Sequence, residues 1–235
     1  MITQLRYNLK IVLPTLVWTG ILSVVLIAFV LLGHFSMDNF STATAAGAAE
    51  QFIPLITAFF TAGVLDVEMK RGAHEVMCSK HRPLWHTLTY RVLVTLLLAL
   101  GLGTAMLLIQ HFFLAYLPVG MLLLAAIPPA LCMGLIALWL RVRLGNAFIG
   151  YVAAIAIWIV NLIIGASQSG SSGFDINPLF NPNSYTQRIT AAANNTLDST
   201  PYVDWWWVSK IALMIVAALI FWSITRRVEN LVEAD

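Results

Sequence analysis

IVLPTLVWTGILSVVLIAFVLL, residues 11 to 32, decides the fold: 22 consecutive positions carry no Asp, Glu, Lys or Arg and a single proline, Pro14. A helix needs about 20 apolar residues to cross roughly 30 Å of hydrocarbon, so this run is long enough to span a bilayer. A cleavable signal peptide has an apolar run of only about 7 to 15 residues. Ala43-Thr44-Ala45 imitates a cleavage site, but ten residues separate it from the end of the run. The stretch therefore reads as an uncleaved anchor.

Five further stretches have the same character: about Ala45 to Leu65, Val92 to Phe112, Val119 to Leu140, Ala147 to Gly165 and Trp206 to Thr225. Their apolar residues run continuously and do not alternate with period two, which argues for helices and against a barrel. Composition points the same way. Residues of the AVILMFWYC set make up 60% of the 235 positions and Asp, Glu, Lys and Arg only 10%. A soluble domain of this size carries about 25% charged residues. The excess apolar surface has to face lipid, so the expectation is an all-α integral membrane protein, one transmembrane domain over residues 1–235 with six spans. Disorder, a collagen-like chain and a disulfide-stapled domain are excluded. A net charge of +2 is too small to argue for nucleic acid.

Lys and Arg set the orientation. Arg6 and Lys10 precede span one; Lys70, Arg71, Lys80, Arg82 and Arg91 lie between spans two and three. Arg141 and Arg143 lie between spans four and five, and Arg226 and Arg227 follow span six. Only Arg188 and Lys210 fall on the other side. Both termini are expected in the cytoplasm. Ile2, Leu5 and Leu9 recur at helical spacing, as in a short helix along the inner interface. Trp205, Trp206 and Trp207 suit the outer headgroup layer as an aromatic belt. The one sizeable outer segment, about Ala166 to Asp204, is rich in Gly, Ser and Asn-Pro steps; it is either a loop or a set of short re-entrant helices.

The densest polar stretch is LDVEMKRGAHEVMCSKHRP, from Leu65 to Pro83. Val67, Val76 and Met77 recur at roughly helical intervals, Glu68 and Arg71 stand one turn apart, and Gly72 weakens the helix or permits a close backbone approach. Pro83 ends it before span three. An amphipathic helix on the cytoplasmic rim suits the docking of a soluble partner; a solvated inner loop carrying positive-inside charge is the plainer alternative.

Six spans with both ends inside, a basic leader, a long outer segment between spans five and six and this connection together resemble one family, the permease subunits of type-2 ABC transporters, which are mainly exporters. The family's connection runs acid, Gly, Glu, then Pro before span three; here Glu68, Gly72, Glu75 and Pro83 hold those places. Ala73 stands where the family has Thr, and Val76-Met77-Cys78 where it has a Leu-rich run. The resemblance implies a coupling helix seated on a separate ABC ATPase subunit, with Glu68, Arg71, Gly72, Glu75 and Pro83 at the contact. The chain has no GxxxxGK[ST] phosphate loop, so ATP and Mg belong to that partner and this chain is not itself an enzyme. A second copy or a related permease is the other implied partner. The implied location is the cell (plasma or inner) membrane of a bacterium, multi-pass, and the mostly uncharged spans suggest an amphipathic or hydrophobic cargo such as a peptide antibiotic, lipid or drug.

The competing class is a six-span channel or passive transporter working without ATP. A channel usually shows a filter or a charged ring. The polar residues available inside the spans are Glu50 and Gln51 in span two and Asn161 in span five. If the second helix starts at Glu50 the charge sits at the interface; if it starts earlier, Glu50 lies in the bilayer, where a charge costs on the order of 2.5–3.5 kcal/mol on insertion scales and marks a pathway. Asn161 more simply bonds to a neighbouring helix. A metal site is disfavoured. His81 and His86 have the HxxxxH spacing with His74 nearby, but His34 and His111 fall on the other side and acidic ligands are lacking. Cys78 and Cys132 lie at different depths and cannot pair.

Overall fold

The computed structural model of the protein describes residues 20, 22–28, 30–31, 33, 42–64, 84–114, 116–168 and 206–233. The described residues between 20 and 33 are helical and form α1. The elements that follow are α2 (Thr42–Ala62), α3 (Leu84–Phe113), α4 (Val119–Leu144), α5 (Ala147–Gln168) and α6 (Trp206–Glu233). The described residues contain no strand, so the all-helical reading of the sequence holds. The connection over 65–83, the segment from 169 to 205 and the N-terminal stretch with Ile2, Leu5 and Leu9 lie outside the described residues.

α4 is the centre. A helix apolar on every side has to be buried or lie in lipid, and α4 turns a different face to each of three clusters. Leu122, Ala125, Ala126 and Ala130 meet Ile53, Ile56 and Phe60 of α2 and Leu96, Ala99 and Met106 of α3. Cys132, Leu135, Leu138 and Val142 meet Leu88 and Val92 of α3 and Leu213, Ala217 and Ile224 of α6. Met133 and Ala137 meet Leu55, Ala58, Phe59 and Ala62 of α2 and Ala154 of α5. Cys132 is thus a buried packing residue. Pro128 and Pro129 lie inside α4.

Small residues let these helices approach closely, as they do where lipid gives no hydrophobic drive for helix pairing. A Cβ on Gly134 would come 3.1 Å from Thr57 Cγ2 and from Thr61 Oγ1. The Thr61 hydroxyl uses that proximity to donate to the Gly134 carbonyl at 2.8 Å. A Cβ on Gly150 would come 2.8 Å from the Ala137 carbonyl oxygen of α4 and 3.1 Å from Ala62 Cβ of α2. At Gly145, φ is 72°, the left-handed cap that ends α4; its N–H donates to the Arg141 carbonyl at 2.8 Å.

Two polar ties show which helix ends lie together. Trp139 Nε1 donates to Ser223 Oγ at 3.2 Å, and Arg141 Nη1 donates to the Ala62 carbonyl at 2.9 Å. The C-terminal ends of α2, α4 and α6 therefore gather at one end of the bundle, and short turns return α3 into α4 and α4 into α5. That end collects Arg141, Arg143, Arg226 and Arg227. The Arg143 guanidinium lies 5.0 Å from the Trp139 ring centroid and Arg226 4.3 Å from that of Trp222, so two of these cations rest on aromatic faces. In the turn from α3 to α4, His111 Nδ1 accepts the Leu117 N–H at 2.9 Å.

Outside the core, Leu93, Leu97, Leu124, Ile163, Ile215 and Leu219 are exposed. Contiguous apolar exteriors of this kind are rare on soluble monomers. Leu88–Phe113 and Val119–Leu144 are long and apolar enough to cross a membrane. Length and composition thus point to a membrane location.

Gly150 and Gly101 make a matched test of the close packing. Gly150→Leu has to push the backbone of α4 at Ala137 aside and is expected to lower stability by about 1–3 kcal/mol. Gly101→Ala, where nothing lies within 4 Å of the added carbon, leaves stability unchanged or higher. Thermal unfolding of both purified variants in detergent reads the difference.

Candidate functional site

α2 begins at Thr42, eight residues before Glu50. Glu50 thus stands in the third turn, packed inside the bundle, and not at the helix start. Its side chain is 1% exposed. Lys210 Nζ lies 3.1 Å from Glu50 Oε1 and donates to it, with the lysine side chain 7% exposed. Lys210 is four residues inside α6, which begins at Trp206. The pair thus joins the N-terminal halves of α2 and α6 across 160 residues of sequence.

Charges in such surroundings persist only in company. A lone ammonium or carboxylate taken from water into an apolar interior costs several kcal/mol, and a good partner returns much of it. Its helix neighbours Ala48, Ala49 and Ile53 are buried as well. The second carboxylate oxygen of Glu50, Oε2, is buried and accepts no hydrogen bond among the described residues. Pro54 follows in the same helix. It lacks an N–H, so the Glu50 carbonyl loses its usual helical donor.

The opposite end of the bundle has a second buried charge. Arg141, 2% exposed, reaches from α4 to the Ala62 carbonyl, one of the last-turn acceptors that helix α2 leaves open. A cation at a helix C-terminus is also favoured by the helix dipole. Arg141 thereby fixes the point at which the chain leaves α2 for the 65–83 connection. Arg91, in the second turn of α3, is buried as well.

Of the residues singled out in the sequence, Glu68, Arg71, Gly72, Glu75 and Pro83 lie outside the described residues. Gln51 is half-buried in α2 beside Glu50. Asn161 falls within α5. Glu50 is brought to a partner, and that partner was missed because a charge count assigns Lys210 to the outer surface. The signal was present: opposite charges inside two apolar runs, both near the same end. Arg141 was counted with the loop charges for the same reason. Set against known proteins, the chain matches no family model, no curated protein and no solved structure.

Breaking the pair one side at a time is expected to be worse than removing it whole. Glu50→Gln and Lys210→Met should each cost about 3–5 kcal/mol, as when a buried charge loses its partner. The double variant, which leaves no unpaired charge behind, should lose less stability than either single variant. Unfolding of the four proteins in detergent closes the cycle.

Proposed function

We propose that this chain is the membrane-spanning permease subunit of an ATP-driven exporter of the type-2 ABC kind, with six spans, both termini in the cytoplasm, and a cytoplasmic coupling helix within residues 65–83. ATP is bound and hydrolysed on a separate subunit, and two permeases together enclose the path. The cargo is amphipathic or hydrophobic.

The observation that carries the reading is the tie from Arg141 to the Ala62 carbonyl at 2.9 Å, taken with the Glu68, Gly72, Glu75 and Pro83 pattern that begins six residues further on. A push delivered by an ATPase to the 65–83 connection is useful only if the connection is anchored to the spans. Arg141 supplies an anchor: it binds the end of α2 to α4, the helix that every other packed element shares. The gathering of Arg141, Arg143, Arg226 and Arg227 at that end supports its assignment to the cytoplasm.

The buried pair favours a second reading, because ionisable residues within spans mark substrate or ion paths in passive transporters as well. In that case the chain works alone. The two readings part on nucleotide. Purified from its native membrane with a tag, the chain should bring down an ATPase that carries a phosphate-binding loop. Glu68→Arg combined with Glu75→Arg should reduce the recovered ATP hydrolysis at least tenfold while the chain itself is still recovered in full. Undiminished transport in ATP-depleted vesicles overturns the exporter reading.

A further inference from the structure

Glu50 and Lys210 connect two helices that otherwise scarcely meet. α6 packs on α4 and lightly on α3, and few of its residues approach α2. Among the described residues, the ion pair is thus the main direct link between α2 and α6. Its two members differ in reach. Glu50 is eight residues inside α2, about 12 Å from its start at 1.5 Å per residue. Lys210 is four residues, about 6 Å, inside α6. A lysine carries its ammonium on a long flexible stem and can retract it toward the end of the bundle; the short arm of Glu50 cannot follow. Of the two, Lys210 is the member able to withdraw.

What it leaves behind is specific. Glu50 keeps a carboxylate whose Oε2 already accepts no hydrogen bond among the described residues, and a main-chain carbonyl whose helical donor is missing because Pro54 follows four positions on. Ala49 and Ile53, its buried neighbours along the helix, are apolar. A bare carboxylate there is unfavourable, whereas a cation with several N–H donors satisfies both the carboxylate and the carbonyl. An apolar body attached to that cation packs against those apolar neighbours.

We propose that Glu50 is the docking point for the positive group of the transported molecule, an amphiphile bearing a primary ammonium or a guanidinium, and that Lys210 is the resident counter-ion it displaces. The word transported rests on the exporter reading; the docking itself requires no nucleotide. A neutral amphiphile has nothing to exchange for Lys210, so charge is the basis of selection.

The full-length chain in neutral maltoside micelles, titrated with dodecylammonium and separately with 1-dodecanol, tests this through the fluorescence of its eight tryptophans. The ammonium should bind saturably and at least tenfold more tightly than the alcohol. Glu50→Gln should weaken it tenfold or more, Glu50→Asp should retain most of it, and Lys210→Gln should tighten it by removing the competitor. Equal binding of the two amphiphiles to the wild type, or equal ammonium binding by wild type and Glu50→Gln, reduces the pair to a structural tie. If Glu50→Gln fails to fold, an absence of tightening in Lys210→Gln overturns the proposal by itself. Selective binding in a chain that recruits no ATPase would refute the exporter reading and keep the docking site; an ATPase partner without charge preference would do the reverse.

Discussion

Charge in an apolar bundle has to be matched from within, and that constraint organises this protein. An unmatched ammonium or carboxylate away from water costs several kcal/mol, so each buried charge has to find its partner on another helix. Lys210 reaches Glu50, and Arg141 reaches the open carbonyl of Ala62. The first joins α2 to α6 at one end; the second joins α2 to α4 at the other. α2 is thus held at both ends by cations from helices distant in sequence, while its middle is gripped by apolar and small-residue packing. The polar ties fix register along the helix axes, which apolar contacts alone fix poorly.

The two ends differ in their chemistry. At the Arg141 end the contact is between a guanidinium and a main-chain oxygen, backed by the dense packing of Val64, Leu138 and Val142. At the Glu50 end the partners are two buried side chains, one of them a lysine with a long stem. The guanidinium–carbonyl contact at one end and the lysine–carboxylate pair at the other hold α2 to two different helices. Gly134 and Gly150 belong to the Arg141 half. Both allow backbone to approach within contact distance of α2 or α4, and neither tolerates added bulk without displacement.

Helices were legible because their signal is local: twenty or so uncharged residues in a row admit only one backbone that satisfies every N–H and C=O without water. Their ends were less so. α2 begins three residues before the apolar run at Ala45, α3 reaches back from Val92 to Leu84, and α6 extends from Thr225 to Glu233, since a helix continues past the hydrophobic stretch wherever nothing stops it. For Glu50 those few residues changed the conclusion, because they carry the carboxylate from a rim into the interior. The candidate coupling residues from Glu68 to Pro83 rest on sequence pattern alone.

Composition and the spacing of charges therefore determined that the chain is helical, that it is too apolar for water, and which of its ends are basic, because each of these follows from residues near one another in sequence or from simple counts. Pairing was decided only by tertiary structure. No count tells a lysine at a rim from a lysine that folds inward, or an arginine in a turn from one that closes a helix; the distinction depends on which helices lie side by side, and 160 residues of chain separate Glu50 from Lys210. Long-range packing placed those groups together, and the expense of leaving a charge alone in a dry interior is what keeps them there.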